Sequence, residues 1–156
     1  MTNEEAKLET QKHIDNVGLA MDEVIARLQY RAKHHDASKL EEPEVSVFNE
    51  FTERLKTRTY GSPEYEKDLA EMKSTLEHHY ARNRHHPEHH ARGIDDMNII
   101  DLVEMLCDWK SATLRHNDGN LNKSIEYNAD KFDMAPQLKR IFQNSVEMFY
   151  EVEFKK

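Results

Sequence analysis

Residues 97–116 read MNIIDLVEMLCDWKSATLRH, and this stretch decides the class of fold. Ile99, Leu102, Val103, Leu106, Trp109 and Thr113 recur at three- and four-residue intervals, the period of an amphipathic helix. Working outward, the same period returns on both sides. Upstream, Ser62-Pro63 supplies an N-cap and a first-turn proline after the loop at Tyr60-Gly61, for a helix over 63–83 that buries Tyr65, Leu69, Met72 and Leu76. Pro43 fits the first turn of a helix that faces Val47, Phe48, Phe51 and Leu55 inward. Thr2 and Glu5 form a capping box for a long first helix reaching about Lys33, striped by Ile14, Val17, Gly18, Met21, Val24, Ile25 and Leu28.

Pro87 biases His86 away from helical dihedrals, so the helix before it should break around Arg84 to His86, with Gly93 closing the next turn. Downstream, Asn117-Asp118-Gly119-Asn120 is a turn signal. A short helix over 124–132 and a final amphipathic one from 136 to about 152 follow it. No strand signal, repeat or dividing linker interrupts this pattern. The expectation is an all-α chain, one compact domain over 1–156 with five to seven helices.

Composition excludes several classes. The longest apolar runs fall far short of the ~20 residues of a membrane span, and the polar, acidic start MTNEEAKLETQK is unlike a signal or transit peptide. A net charge of −8 repels phosphate and so disfavours nonspecific nucleic acid or an anionic membrane. A small anionic substrate would need a local cationic pocket or a metal. Cys107 is the single cysteine, so no internal disulfide forms, which fits the reducing cytoplasm; its thiol is either packing or reactive. Phe149, Tyr150 and Phe154 near the last helix are either core or the contact of a homodimer.

Eight of the ten histidines sit in four adjacent pairs: His34-His35, His78-His79, His85-His86 and His89-His90. Imidazole and carboxylate are the ligands that borderline divalent metals prefer. His79 and His86 are seven residues apart, two turns if helix persists, and the break at Pro87 can fold the later histidines back. The competing reading is a surface tract that binds metal adventitiously. His35 and Asp36 can share an ion only where the backbone leaves regular helix; otherwise they are an ordinary helix end favoured by the dipole. Lys39 could then place an ammonium near a bound phosphate. His13 lies at the edge of the first stripe, where a lone histidine is more often solvated or core. Asp108, between buried positions, could instead pair with Lys110 or Arg115.

His13, then His35-Asp36, then Asp108, in that order on successive helices, resembles the HD-domain superfamily of metal-dependent phosphohydrolases. His35-Asp36-Ala37-Ser38-Lys39 is similar to its histidine-aspartate-any-glycine-lysine motif, with Ser38 where glycine is common. Asp108-Trp109-Lys110-Ser111-Ala112 is similar to its closing aspartate, and His85-His86-Pro87-Glu88 to the extra histidines of multi-metal members. The chain also resembles, over nearly its full length, a group of small bacterial and phage proteins with a histidine-rich middle and an Asp-Trp-Lys segment, which brings no activity with it.

The superfamily resemblance implies an HD-like fold and metal ligands at His13, His35, Asp36 and Asp108, with Asp36 as the bridge between two ions. His79 and one of His85 or His86 would complete a second site. It implies one or two divalent ions (Mn, Fe, Co, Zn or Mg) and a small phosphorylated substrate, foremost a nucleotide. Asp36, Lys39, Arg82 and Arg115 would be the catalytic residues, Lys39 touching phosphate and Arg82, Arg84 or Arg115 assisting. The reaction implied is hydrolysis of a phosphoester by metal-activated water. The alternatives are an HD-type di-iron oxygenase and a non-enzymatic helical protein that binds metal or nucleotide.

Overall fold

A computed structural model describes residues 2–59, 62–115 and 119–155, with the side chains of Leu55 and Lys56 left aside. Among the described residues every regular element is helical, seven α-helices linked by short 3-10 turns and no strand, so the chain is all-α. The expected loop at Tyr60-Gly61, the inward Leu55 and the Asn117-Asp118 half of the expected turn lie outside the described residues. No described helix is long and apolar enough to cross a membrane. The chain divides into two compact units, Met1–His35 and Asp36–Lys156.

The first unit is helix α1, Asn3–His34. Its capping box forms as expected: the Glu5 amide donates to Thr2 Oγ1, and the Thr2 amide to Glu5 Oε2 at 2.7 Å. A lone helix has no core of its own, and the stripe Ile14, Val17, Met21, Val24 and Ile25 is exposed. Arg31, Lys33 and His34 occupy the last turn, where cations suit the helix dipole. His34 stacks on Tyr30 at 4.1 Å between ring centroids and donates from Nδ1 to its carbonyl, an ordinary helix-end role.

The second unit opens at Asp36 and a 3-10 turn, Ala37–Leu40. Helix α2 is Glu44–Lys56, beginning just after Pro43, and α3 is Pro63–Glu71, capped by Ser62. The helix expected over 63–83 is in fact two. Met72 leaves helical geometry (φ −87°, ψ 2°), and α4, Lys73–Arg82, starts behind it. No glycine or proline marks this break; the Met72 amide reaches both the Asp68 and Leu69 carbonyls, a local tightening of the turn. After Asn83 the chain runs through the 3-10 turns Pro87–His89 and Gly93–Asp96, with Gly93 in the left-handed region (φ +59°) as its place in a turn requires.

Helix α5, Ile99–Thr113, is opened by an Asn98–Asp101 capping box. Helix α6, Leu121–Lys131, begins three residues earlier than expected because the Asn120 side chain caps it. Helix α7, Pro136–Asn144, ends well short of 152: Ser145 Oγ donates to the Ile141 carbonyl and the chain tightens into the 3-10 turn Val146–Phe149. The apolar core lies between α5, α6 and α7, around Met105, Leu106, Trp109, Leu121, Ile125 and Phe142. Trp109 meets Phe142 edge to face at 5.8 Å. Phe149 packs against this core and Phe154 lies under Lys110, whereas Tyr150 is exposed.

One face is not where the apolar spacing put it. On α5, Leu106, Trp109 and Thr113 are buried and Leu102 packs on the core as expected, but Ile99 is 68% exposed and Val103 is exposed, while Ile100, Asp101, Glu104 and Met105 are buried beside them. The buried face of the helix extends beyond the apolar stripe on one side and leaves Ile99 and Val103 at its other edge. The physical reason is that its inner face carries carboxylates, at i, i+3 and i+7, with partners waiting for them.

Candidate metal centre

Asp36 opens the second unit, and its backbone takes the left-handed conformation (φ 54°, ψ 20°) that aspartate tolerates better than most side chains. The departure from helix at His35 and Asp36 is therefore as expected. Asp36 Oδ2 pairs with Lys39 Nζ at 2.6 Å, which turns Oδ1 toward two buried imidazoles: 3.3 Å from His79 Nε2 and 3.5 Å from His85 Nε2. His86 Nε2 lies 3.0 Å from His79 Nε2. Asp36, His79, His85 and His86 each offer one ligand atom within 4.8 Å of the others, and Asp36, His85 and Asp108 do the same.

Local structure explains this convergence. Helix α4 carries His79 inward and stops at Arg82, and Asn83 caps its end. Asn83 leaves the helix in extended geometry (φ −120°, ψ 102°), and a turn closed by the His86 amide on the Asn83 carbonyl brings His85 and His86 back beside the ring they follow by six and seven residues. His86 packs against His85 at 4.1 Å and Tyr80 at 4.9 Å between ring centroids. Burial, then the neighbouring His85 and His79, push the pKa of His86 down to about 3, so the ring is neutral and able to ligate at physiological pH. Burial raises the Tyr80 hydroxyl to about 12, so it is a neutral phenol there.

Behind the cluster stand two glutamates. Glu44, fully buried at the start of α2, accepts from His79 Nδ1 at 2.9 Å through Oε2 and from His78 Nδ1 at 2.7 Å through Oε1. Ser38 Oγ also donates to Oε2 at 2.9 Å, and Asn83 Nδ2 donates to Ser38. Burial alone would raise the Glu44 pKa, but the hydrogen bonds from His78, His79 and Ser38 outweigh it and hold the carboxyl below its ordinary value. On the other side, Glu104 Oε1 of α5 lies 3.2 Å from His85 Nδ1.

The remaining expected site residues are placed as follows. Arg82 Nε donates to His78 Nε2, and Arg84 grips buried Asp101 with both Nε and Nη2. His89 and His90 donate to the carbonyls of Tyr80 and Arg84, which makes them turn-forming residues. Arg115 is exposed just past α5, and Asp108 is half-buried on it. His13 is exposed in the middle of α1, and His35, half-buried, ends the first unit. Sequence reading missed Glu44, Glu104 and the part Ser38 plays. For Glu104 the signal was present, since Asp101, Glu104 and Asp108 share one face of α5.

The family model for DUF5662, described as a family of unknown function, matches residues 2–148. The chain belongs to the DUF5662 family. Comparison with curated proteins and with solved structures gave no match.

Proposed function

We propose that this DUF5662 protein is a metal-dependent hydrolase of a small phosphoester, foremost a nucleotide. The observation that carries the reading is the meeting of Asp36, His79, His85 and His86 within 4.8 Å. Three imidazoles and a carboxylate form a donor set for Zn, Fe, Co or Mn rather than for Ca or Mg. Glu44, Glu104 and Asp108 add negative charge around it, which a divalent cation would offset.

Asp36, His79, His85 and His86 would hold the ion, with Asp108 as a further ligand. His35 and His13 are kept as ligands on the sequence resemblance alone. An ion so held supplies Lewis acidity, toward water and toward a phosphoryl oxygen alike. The chain's own residues then have distinct work. Lys39, about one-third exposed beside Asp36, offers a fixed positive charge to an incoming phosphate. Water adds at phosphorus and gives up a proton to solvent, the ester P–O bond breaks, and the leaving oxygen takes a proton from a histidine outside the ligand set, which solvent then re-protonates.

Asp36 and His85 belong to both ligand groups; the carboxylate could serve two ions, whereas the imidazole could serve only one of them. A pair of ions fits this sharing. With iron, that pair supports a second reading, oxygen activation rather than hydrolysis. Elemental analysis of the purified protein, with turnover on a panel of nucleotides in manganese, cobalt and iron, tests the first. Phosphate release that depends on the metal supports it. Metal uptake with oxygen consumption and no phosphate release would replace it with the second, and absence of metal would end both.

A further inference from the structure

We infer that Glu44 and Glu104 are the positioning residues of this centre, each standing behind one imidazole and fixing its Nε2 toward Asp36. The inference rests on the metal-binding reading above and adds to it which groups make the ligands ready. His79 and His85 are each 1% exposed, so neither ring has water to satisfy the nitrogen that faces away from Asp36. For His79 that nitrogen is Nδ1, and it is bonded to Glu44. Asn83 Nδ2 also comes within 3.0 Å of this nitrogen but spends its two protons on Ser38 Oγ and the His79 carbonyl, both at 2.8 Å, so the carboxylate, which only accepts, places the ring proton on Nδ1 and leaves Nε2 its lone pair. Glu104 Oε1 comes within 3.2 Å of the corresponding nitrogen, Nδ1, of His85.

The two carboxylates come from different elements, the first residue of α2 and the middle of α5, yet reach the same atom of the two rings. A carboxylate behind a metal-bound imidazole also raises the basicity of the ligand, and its removal costs roughly 10- to 100-fold in metal affinity. The Ser38 hydroxyl and the His78 ring hold Glu44 in turn, so its carboxylate is set before any ion arrives. Asp101 is the internal comparison. It is equally buried on the same face of α5, but it serves Arg84 and the Asn98 cap.

The test measures affinity for Zn and Co by competition with a chromophoric chelator, on wild type and on Glu44→Ala, Glu44→Gln, Glu104→Ala, Glu104→Gln and Asp101→Asn. Nitrogen-15 spectra of the metal-free protein read the tautomer of His79. Expected are losses of about 10- to 100-fold for both alanine variants and smaller ones for the glutamines. Asp101→Asn should be less stable but bind metal as wild type does. The His79 proton should sit on Nδ1 in wild type and redistribute in Glu44→Ala. Should an alanine variant fail to fold by circular dichroism, the glutamine variant and the tautomer carry the test. Folded variants that bind as tightly as wild type overturn the inference while leaving the metal centre standing. A wild type that takes up no metal overturns the centre itself.

Discussion

Lys39 Nζ lies 2.6 Å from Asp36 Oδ2, while the other oxygen of the same carboxylate faces His79 and His85. One side chain thus joins a partly exposed cation to a buried donor cluster. The left-handed backbone of Asp36 makes this possible, because a helical residue there would aim its carboxylate along the helix rather than across it.

Two roles for Lys39 follow, and a substitution separates them. If it serves substrate, Lys39→Met should keep the metal and lose about 10²-fold in turnover on a phosphoester, the usual size for removing one fixed positive group. Lys39→Arg should recover part of that. Metal content and turnover measured on the same sample decide the matter. A loss of metal in Lys39→Met would mean that the ammonium only holds Asp36.

The histidine-rich segment divides into ligands and turn-formers, which predicts opposite phenotypes for near neighbours. His86→Ala should abolish tight metal binding, since its Nε2 is part of the cluster. His89→Ala removes only the bond to the Tyr80 carbonyl, at 2.7 Å, and should cost about 1 kcal/mol of stability with metal binding intact. Elemental analysis beside thermal melts would show the division. Equal loss of metal in both variants would favour an unspecific histidine tract.

A pH effect is expected away from the centre, where Asp68 is buried between Arg54 (2.5 Å) and Arg58 (3.0 Å). The hydrogen bond from Arg58, aided by Arg54 and opposed by burial, holds its carboxyl below the ordinary value of 3.8. A folded-state pKa below the unfolded one contributes stability that is present above the unfolded value and lost as pH falls through the folded one. Asp68→Asn should therefore lower the melting temperature near neutral pH, and the deficit should shrink below about pH 4. Melts of both proteins across that range give the answer; a constant difference would mean that Asp68 acts through packing.

How much of this was legible in the sequence depends on the physics behind each signal. Caps at Thr2 and Ser62 and the break at Pro87 are local, and the helix starts and the chain break they mark fall where expected. His79, His85, His86 and Asp36 were candidates because their chemistry is rare and they stand near helix ends. Glu44 was not, because a glutamate at the start of a helix looks like an ordinary dipole partner until His78 and His79 are seen against it. The break at Met72 has no local signal at all.

Helix α5 shows the limit most sharply, and it yields a stability prediction. Phasing a helix by its apolar residues assumes that the inside is apolar, but α5 buries Asp101 and Glu104 to serve Arg84 and His85. Ile99, at 68% exposure, is therefore outside the core, while Met105, at 1%, is at its centre. Met105→Ala should cost about 2–5 kcal/mol through lost contacts and the cavity left behind. Ile99→Ser should change stability by no more than about 0.5 kcal/mol. Urea unfolding of the two variants distinguishes the phases: a large loss for Ile99→Ser with tolerance at Met105 would restore the apolar stripe as the buried face, and would turn Glu104 away from His85.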